Sequence, residues 1–157
     1  LELVNSGGTG SLARIGGLGF ATELAAGSGF FAPALFDNYR SLQLDPAAAF
    51  ALPVVRKPSP ELATVLGGGY IASGPAGASR VPLPSWPTGL SFEASEGAGE
   101  VQTPLRGARE LRIGDAVWFR HAKAGELCEH FTELQLVEDG QHAGAVSTYR
   151  GEGMMFL

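Results

Sequence analysis

The 157 residues suffice for one domain with a single hydrophobic core, and 45% hydrophobic against 17% charged residues marks a folded globular chain rather than a disordered one. The formal charge of −5, with only Lys57, Lys123 and nine scattered arginines, excludes the clustered cations that nucleic-acid phosphates or an anionic membrane surface require. The 23 glycines and 10 prolines interrupt helices too often for a helical bundle.

The chain opens without Met in what reads as a buried strand, Leu1-Glu2-Leu3-Val4, and such a start is read as a cut within a longer chain. The turn Asn5-Ser6-Gly7-Gly8-Thr9-Gly10-Ser11 follows at once. Short helical turns are expected over 22–27 and over 33–42, where apolar residues fall at 35, 36, 39 and 42. Residues 1–44 therefore have mixed α/β character.

Beyond Asp45-Pro46, short apolar runs are separated by Pro, Gly and Ser, the pattern of an antiparallel β domain over 45–157. Strands are predicted over 49–56, 63–73, 89–93, 99–103, 115–119, 133–138 and 143–150, with helix in this part confined to the region 122–130. The stretch 74–87, with four prolines at 75, 82, 84 and 87, is expected to be a long irregular loop. Turns are predicted at Leu111-Arg112-Ile113-Gly114-Asp115 and at Glu138-Asp139-Gly140. Trp86 and Trp118 are expected in the core or in a pocket wall.

No apolar run reaches the roughly 18 residues of a membrane-spanning helix, since Glu23, Gly27, Gly29 and Pro33 break even the stretch from Phe20 to Phe36. A lone cysteine, Cys128, cannot form an internal disulfide, which fits a reducing, cytoplasmic setting and leaves the thiol open to packing, metal or chemistry.

Two clusters could carry chemistry. In Gly7-Gly8-Thr9-Gly10, glycines let successive N–H groups converge on an anion and Thr adds a hydroxyl; a plain strand-exit turn accounts for the same residues. His121 and Cys128 offer imidazole and thiolate, a pair suited to Zn²⁺, although a buried cysteine beside an unrelated histidine would read alike. A third ligand could be Glu96, Glu126, Glu129 or His130, and nothing in the sequence chooses among them. A cysteine nucleophile activated by His lacks an orienting third group. His142 reads as a solvated loop residue, and the Glu93, Glu96, Glu100 group as an exposed loop.

Taken in order, three segments resemble the C-terminal part of the pyridoxal-phosphate enzymes that include D-threonine aldolase, D-serine dehydratase and the related D-amino-acid deaminases, of the alanine racemase-like fold. Ser6-Gly7-Gly8-Thr9-Gly10-Ser11 is similar to the family's turn after a late barrel strand, and Thr22-Glu23-Leu24 with Gly27-Ser28 to its next motif. Arg112-Ile113-Gly114-Asp115 with Val117, His121 and Cys128 resembles the Gly-Asp strand leading into a His and Cys metal pair. The family usually sets that pair closer together; the intervening Ala122-Lys123-Ala124-Gly125-Glu126-Leu127 resembles the deaminase branch. Ser95-Glu96-Gly97-Ala98-Gly99 stands where the family usually carries a His.

The resemblance implies that 1–44 are the last strand and helix of a (β/α)₈ barrel and 45–157 its C-terminal antiparallel β-barrel-like domain. It implies that Gly7, Gly8, Thr9 and Gly10 hold the phosphate of pyridoxal 5'-phosphate, in line with the phosphate sites common after late barrel strands. It further implies that His121 and Cys128 hold zinc or another divalent metal, and that two subunits form a homodimer. The Schiff-base lysine would lie on an early barrel strand, since neither Lys57 nor Lys123 sits in a matching motif, so no catalytic residue is expected here and these residues alone should be inactive. The implied activity is a lyase removing ammonia from a D-amino acid with a β-hydroxyl, of the D-serine deaminase type. Aldol cleavage of the D-threonine type and a non-catalytic β-domain assembly module are the alternatives.

Overall fold

A computed structural model describes residues 2–154 and 156. Asn5–Gly7 (β1) pairs in parallel with Glu23–Ala25 (β2), and between them lie a helical turn at Thr9–Ser11 and the one-turn helix Leu12–Gly16 (α1). The expected opening strand is thus displaced: Leu1 lies outside the described residues, and the pairing begins only at Asn5. The helical turn expected over 22–27 is instead strand β2. Asn5 and Thr22 explain this, because the Val4 N–H donates to Thr22 Oγ1 (2.8 Å) and the Asn5 side chain bonds Glu23, drawing the segment alongside β1. Short 3₁₀ turns follow at Ser28–Phe31 and at Ala34–Asn38, the latter inside the expected region 33–42.

From residue 50 onward strand predominates. Phe50–Ser59 (β3), Leu62–Leu66 (β4), Leu83–Trp86 (β5), Ser91–Phe92 (β6), Gln102–Arg106 (β7) and Ala116–Arg120 (β8) form one six-stranded sheet, in the order β5-β8-β3-β4-β7-β6. Every pairing in it is antiparallel, and the sheet curls into a nearly closed barrel. β3 is long enough to serve two neighbours, meeting β8 through Phe50 to Pro53 and β4 through Val54 to Ser59.

Alternation decides the two faces. Phe50, Leu52 and Val54 of β3 point inward with Val117 and Phe119 of β8, Val65 of β4 and Leu105 of β7, and all are buried. Each such side chain contributes roughly 1.5–3 kcal/mol by leaving water. The Phe50 and Phe119 rings stack at 5.4 Å, and Phe131 adds a third ring. The same alternation turns Trp118 outward, 44% exposed, where it pairs across strands with Trp86, 60% exposed. Trp118 is therefore not a core residue as expected: its neighbours Val117 and Phe119 occupy the inward positions.

Three further expectations are corrected. The strand predicted over 63–73 stops at Leu66, because Gly67 (φ 73°) and Gly68 (φ 111°) turn the chain away. Inside the expected loop 74–87, a 3₁₀ turn forms at Ala78–Arg80 and Leu83–Trp86 joins the sheet; β5 is an edge strand, where a proline's missing N–H is tolerated. The strand placed at 99–103 runs instead over Gln102–Arg106. Thr103 anchors its start, with its hydroxyl donating to the Gly67 carbonyl at 2.7 Å and accepting the Gly99 N–H at 3.1 Å.

Both predicted turns form. Asp115 caps the first by accepting the Arg112 N–H at 2.7 Å, and Asp139 and Gly140 take positive φ in the second. That second turn joins Glu133–Glu138 (β9) to Gln141–Ser147 (β10), an exposed hairpin outside the six-stranded sheet. The helix expected in 122–130 is Ala124–His130 (α2), and its Leu127 is buried in the core. No helix among the described residues is long and apolar enough to cross a membrane.

Candidate functional site

β8 ends at Arg120 and delivers His121 into the interior, fully buried. Its Nδ1 lies 2.7 Å from the Lys123 carbonyl oxygen. A carbonyl can only accept, so in the neutral ring Nδ1 carries the hydrogen and Nε2 bears the lone pair. Nε2 is buried without a hydrogen-bond partner. Phe31 meets the ring edge-on at 6.2 Å.

The chain then crosses Lys123, an extended residue (φ −136°, ψ 166°) capping α2. The Glu126 carboxylate, 4% exposed, accepts the Lys123 N–H through Oε1 at 2.6 Å, and its Oε2 is buried without a hydrogen-bond partner. Cys128 is half-buried on the same helix. Burial first, then the nearby Glu126 carboxylate, pushes its thiol above the ordinary value of 9.0. Tyr149 donates its hydroxyl to the Gly125 carbonyl at 2.5 Å; burial, Cys128, Glu129 and Glu126 raise its pKa.

His121 thus follows β8 and Cys128 lies within α2, but no group of three or more His, Cys, Asp or Glu side chains forms a ready-made ligand set among the described residues. Of the other suggested ligands, Glu96 is exposed and His130 stacks on Tyr70 at 4.2 Å. Glu93 pairs with Arg106, and His142 meets Gln135 on the exposed hairpin. Both lysines are engaged: Lys57 Nζ donates to the Pro60 carbonyl at 2.7 Å, and Lys123 Nζ to Ser73 Oγ at 2.8 Å.

The glycine turn is built differently from a bare loop. Gly7 (φ 150°) lies against β2 so closely that a Cβ would sit 2.3 Å from the Ala25 oxygen, and the Gly8 N–H is spent on that same carbonyl at 3.0 Å. The turn beginning at Thr9 leaves the Thr9 and Gly10 N–H groups without acceptors inside it, as at any helix start. Thr9 Oγ1 accepts the Gly29 N–H at 3.0 Å, so its own hydrogen is free to donate, and the turn at Ser28–Phe31 is held directly beside the first. The Thr9 side chain thus ties the two turns to each other.

The two clusters are physically joined. The segment that gives Gly29 to Thr9 continues through Phe31 to His121, and the Ala34 N–H donates to the His121 carbonyl at 3.0 Å. Arg120 clamps the junction with a two-pronged bond to Asp37 at 2.6 and 2.9 Å and a third bond to the Ala32 carbonyl. This clamp was not legible in the sequence, where Asp37 and Arg120 lie far apart. Beside it, a cavity of about 420 Å³ opens between the edge strands β5 and β6, bordered by Leu35, Asp37, Leu83, Phe92 and Ala122.

No family model matches the sequence, and no curated protein matches it either. Among solved structures, the chain is similar to D-threonine aldolase from Filomicrobium marinum, with a TM-score of 0.77 at 21% identity. The match covers 96% of this chain and 42% of that one, so the chain spans less than half of the aldolase's length and shares its fold over that part.

Proposed function

We propose that the chain is the C-terminal part of a pyridoxal-phosphate-dependent lyase acting on D-amino acids that carry a β-hydroxyl. The observation supporting this most directly is the buried His121, whose Nδ1–H is tied to Lys123 while Nε2 keeps an open lone pair. Histidine ligands are held toward metals in this way, the second nitrogen donating to a carbonyl or carboxylate.

Each cluster offers donors of the kind that one of these groups takes. His121 Nε2, with Cys128 Sγ once deprotonated, would hold zinc or another divalent cation, which acts as a Lewis acid on a substrate hydroxyl. The Thr9 and Gly10 N–H groups and the Thr9 hydroxyl would hold the cofactor phosphate, with Gly7 and Gly8 setting the turn by close approach to Ala25. Pyridoxal phosphate supplies an electron sink for a carbanion at the substrate Cα. The chain's own share is to fix the phosphate at one cluster, present the ring nitrogen at the other, and hold the two in register through Phe31 and the Arg120 clamp.

Elimination to ammonia and an α-keto acid is the first reading, because the long loop between His121 and Cys128 resembles the deaminase branch. Aldol cleavage is the second, favoured by the structural likeness to a D-threonine aldolase. The test is the longer protein containing an upstream barrel and its lysine. It is expected to bind pyridoxal phosphate with a visible absorption band, and to release either pyruvate from D-serine or glycine from D-threonine. Failure to bind the cofactor would remove the enzyme reading and leave the assembly module.

A homodimer belongs to the same proposal, in a cytoplasmic setting. Leu18, Phe20, Leu24 and Phe30 are exposed over a short stretch of the N-terminal part, as is Leu3, whereas Val4 and Phe31 are half-buried. Exposed apolar area of this kind supports reading this part as an association surface. Sedimentation is expected to show association that weakens in Phe30→Ser; a strict monomer at high concentration would contradict it.

A further inference from the structure

The buried Glu126 has no part in the proposal above, yet its geometry is coupled to that of His121. Oε1 accepts the Lys123 N–H at 2.6 Å, in the position of the acidic arm of a capping box. This bond holds Lys123 extended at ψ 166°, and the ψ angle of a residue sets the direction of its carbonyl. The Lys123 carbonyl is the group that holds His121 Nδ1 at 2.7 Å. One carboxylate therefore fixes the backbone on one side of residue 123, and the imidazole is fixed on the other.

The interior also carries an imbalance. His121 Nε2 and Glu126 Oε2 are both buried and unpartnered, and with Nδ1 protonated both are acceptors. Unmatched buried acceptors are costly, so this arrangement persists only because the loop geometry imposes it. We infer that Glu126 is a positioning residue for His121: it locks Lys123 so that the imidazole keeps its hydrogen on Nδ1 and offers Nε2 as the open nitrogen. The use of that nitrogen for a metal rests on the proposed function; the tautomer does not.

The experiment is ring ¹⁵N NMR of the histidines in the metal-free chain at a pH where the ring is neutral, followed by zinc titration calorimetry on the same samples. In the unaltered chain His121 is expected as the Nδ1–H tautomer. Glu126→Gln keeps an oxygen acceptor for the Lys123 N–H and should keep that tautomer, with zinc affinity within about threefold, as a residue acting only through hydrogen bonds would. Glu126→Ala should admit the Nε2–H tautomer and lower zinc affinity by about 10- to 100-fold. Should Glu126→Ala unfold, Glu126→Asp, one methylene short of Lys123, takes its place with the same expected result.

Wild-type tautomer and affinity in the folded Ala or Asp variant would overturn the inference, as would an Nε2–H ring in the unaltered chain. An Nδ1–H ring in a chain that ignores zinc would count against the metal reading alone.

Discussion

Phe119→Ala is expected to destabilise the β domain by about 3–5 kcal/mol, enough to consume much of the stability of an ordinary small domain. Phe119 is fully buried on β8, stacked on Phe50 at 5.4 Å with the planes only 8° apart. Truncation leaves a cavity bounded by strand backbone that cannot collapse, because β8 is hydrogen-bonded to β3 on one side and to β5 on the other. Urea unfolding followed by circular dichroism should show the loss as a lower midpoint with an unchanged slope. Phe119→Leu, which refills part of the volume, should recover more than half of it. A loss below about 1 kcal/mol in Phe119→Ala would mean that β8 is not an interior strand of the sheet.

The second large effect concerns metal. His121→Ala is expected to lower zinc affinity by at least about 100-fold, more than removal of any group acting only through hydrogen bonds, because it deletes a buried imidazole nitrogen that carries an open lone pair and is held in orientation. Cys128→Ala should have a pH-dependent effect. Burial and Glu126 raise the thiol's pKa, so near neutrality the thiol is protonated and zinc must displace that proton to bind sulfur. The affinity of the unaltered chain should therefore rise with pH, and the gap between it and Cys128→Ala should widen in the same direction. Calorimetry at three pH values measures this. Equal affinities for the unaltered chain and His121→Ala would remove the metal assignment while leaving the glycine turn untouched.

The candidate site was half legible in the sequence. His121 and Cys128 could be named from residue type and from their resemblance to a metal pair, and Gly7 to Gly10 from glycine spacing after a strand. The role of Glu126 could not, because Glu126 and Glu129 are equivalent letters in a charged loop until the fold buries the first and leaves the second half-exposed. The division of labour in the turn was hidden as well. Gly7 and Gly8 are used by Ala25 through a parallel pairing with β2, and β2 reads as a helical turn because Glu23, Leu24 and Ala25 are good helix formers.

Sequence alone determined what depends on neighbours close along the chain. Short apolar runs bounded by Pro and Gly specified strands near 49–56 and 115–119, glycine and aspartate specified the turns at 111–115 and 138–140, and the region 122–130 carried its own helix. Tertiary structure decided what depends on partners distant in sequence. β3 finds β8 across more than half of the barrel domain, β5 forms from a proline-rich stretch only because an edge was free beside β8, and Arg120 meets Asp37 only once both are placed. The physical reason is that local propensity is worth tenths of a kcal/mol per residue, whereas burial of the shared core is worth several kcal/mol per large side chain pair and overrides it. The open nitrogen of His121 belongs to this second class, since a histidine becomes buried and oriented only when the sheet that carries it has closed around it.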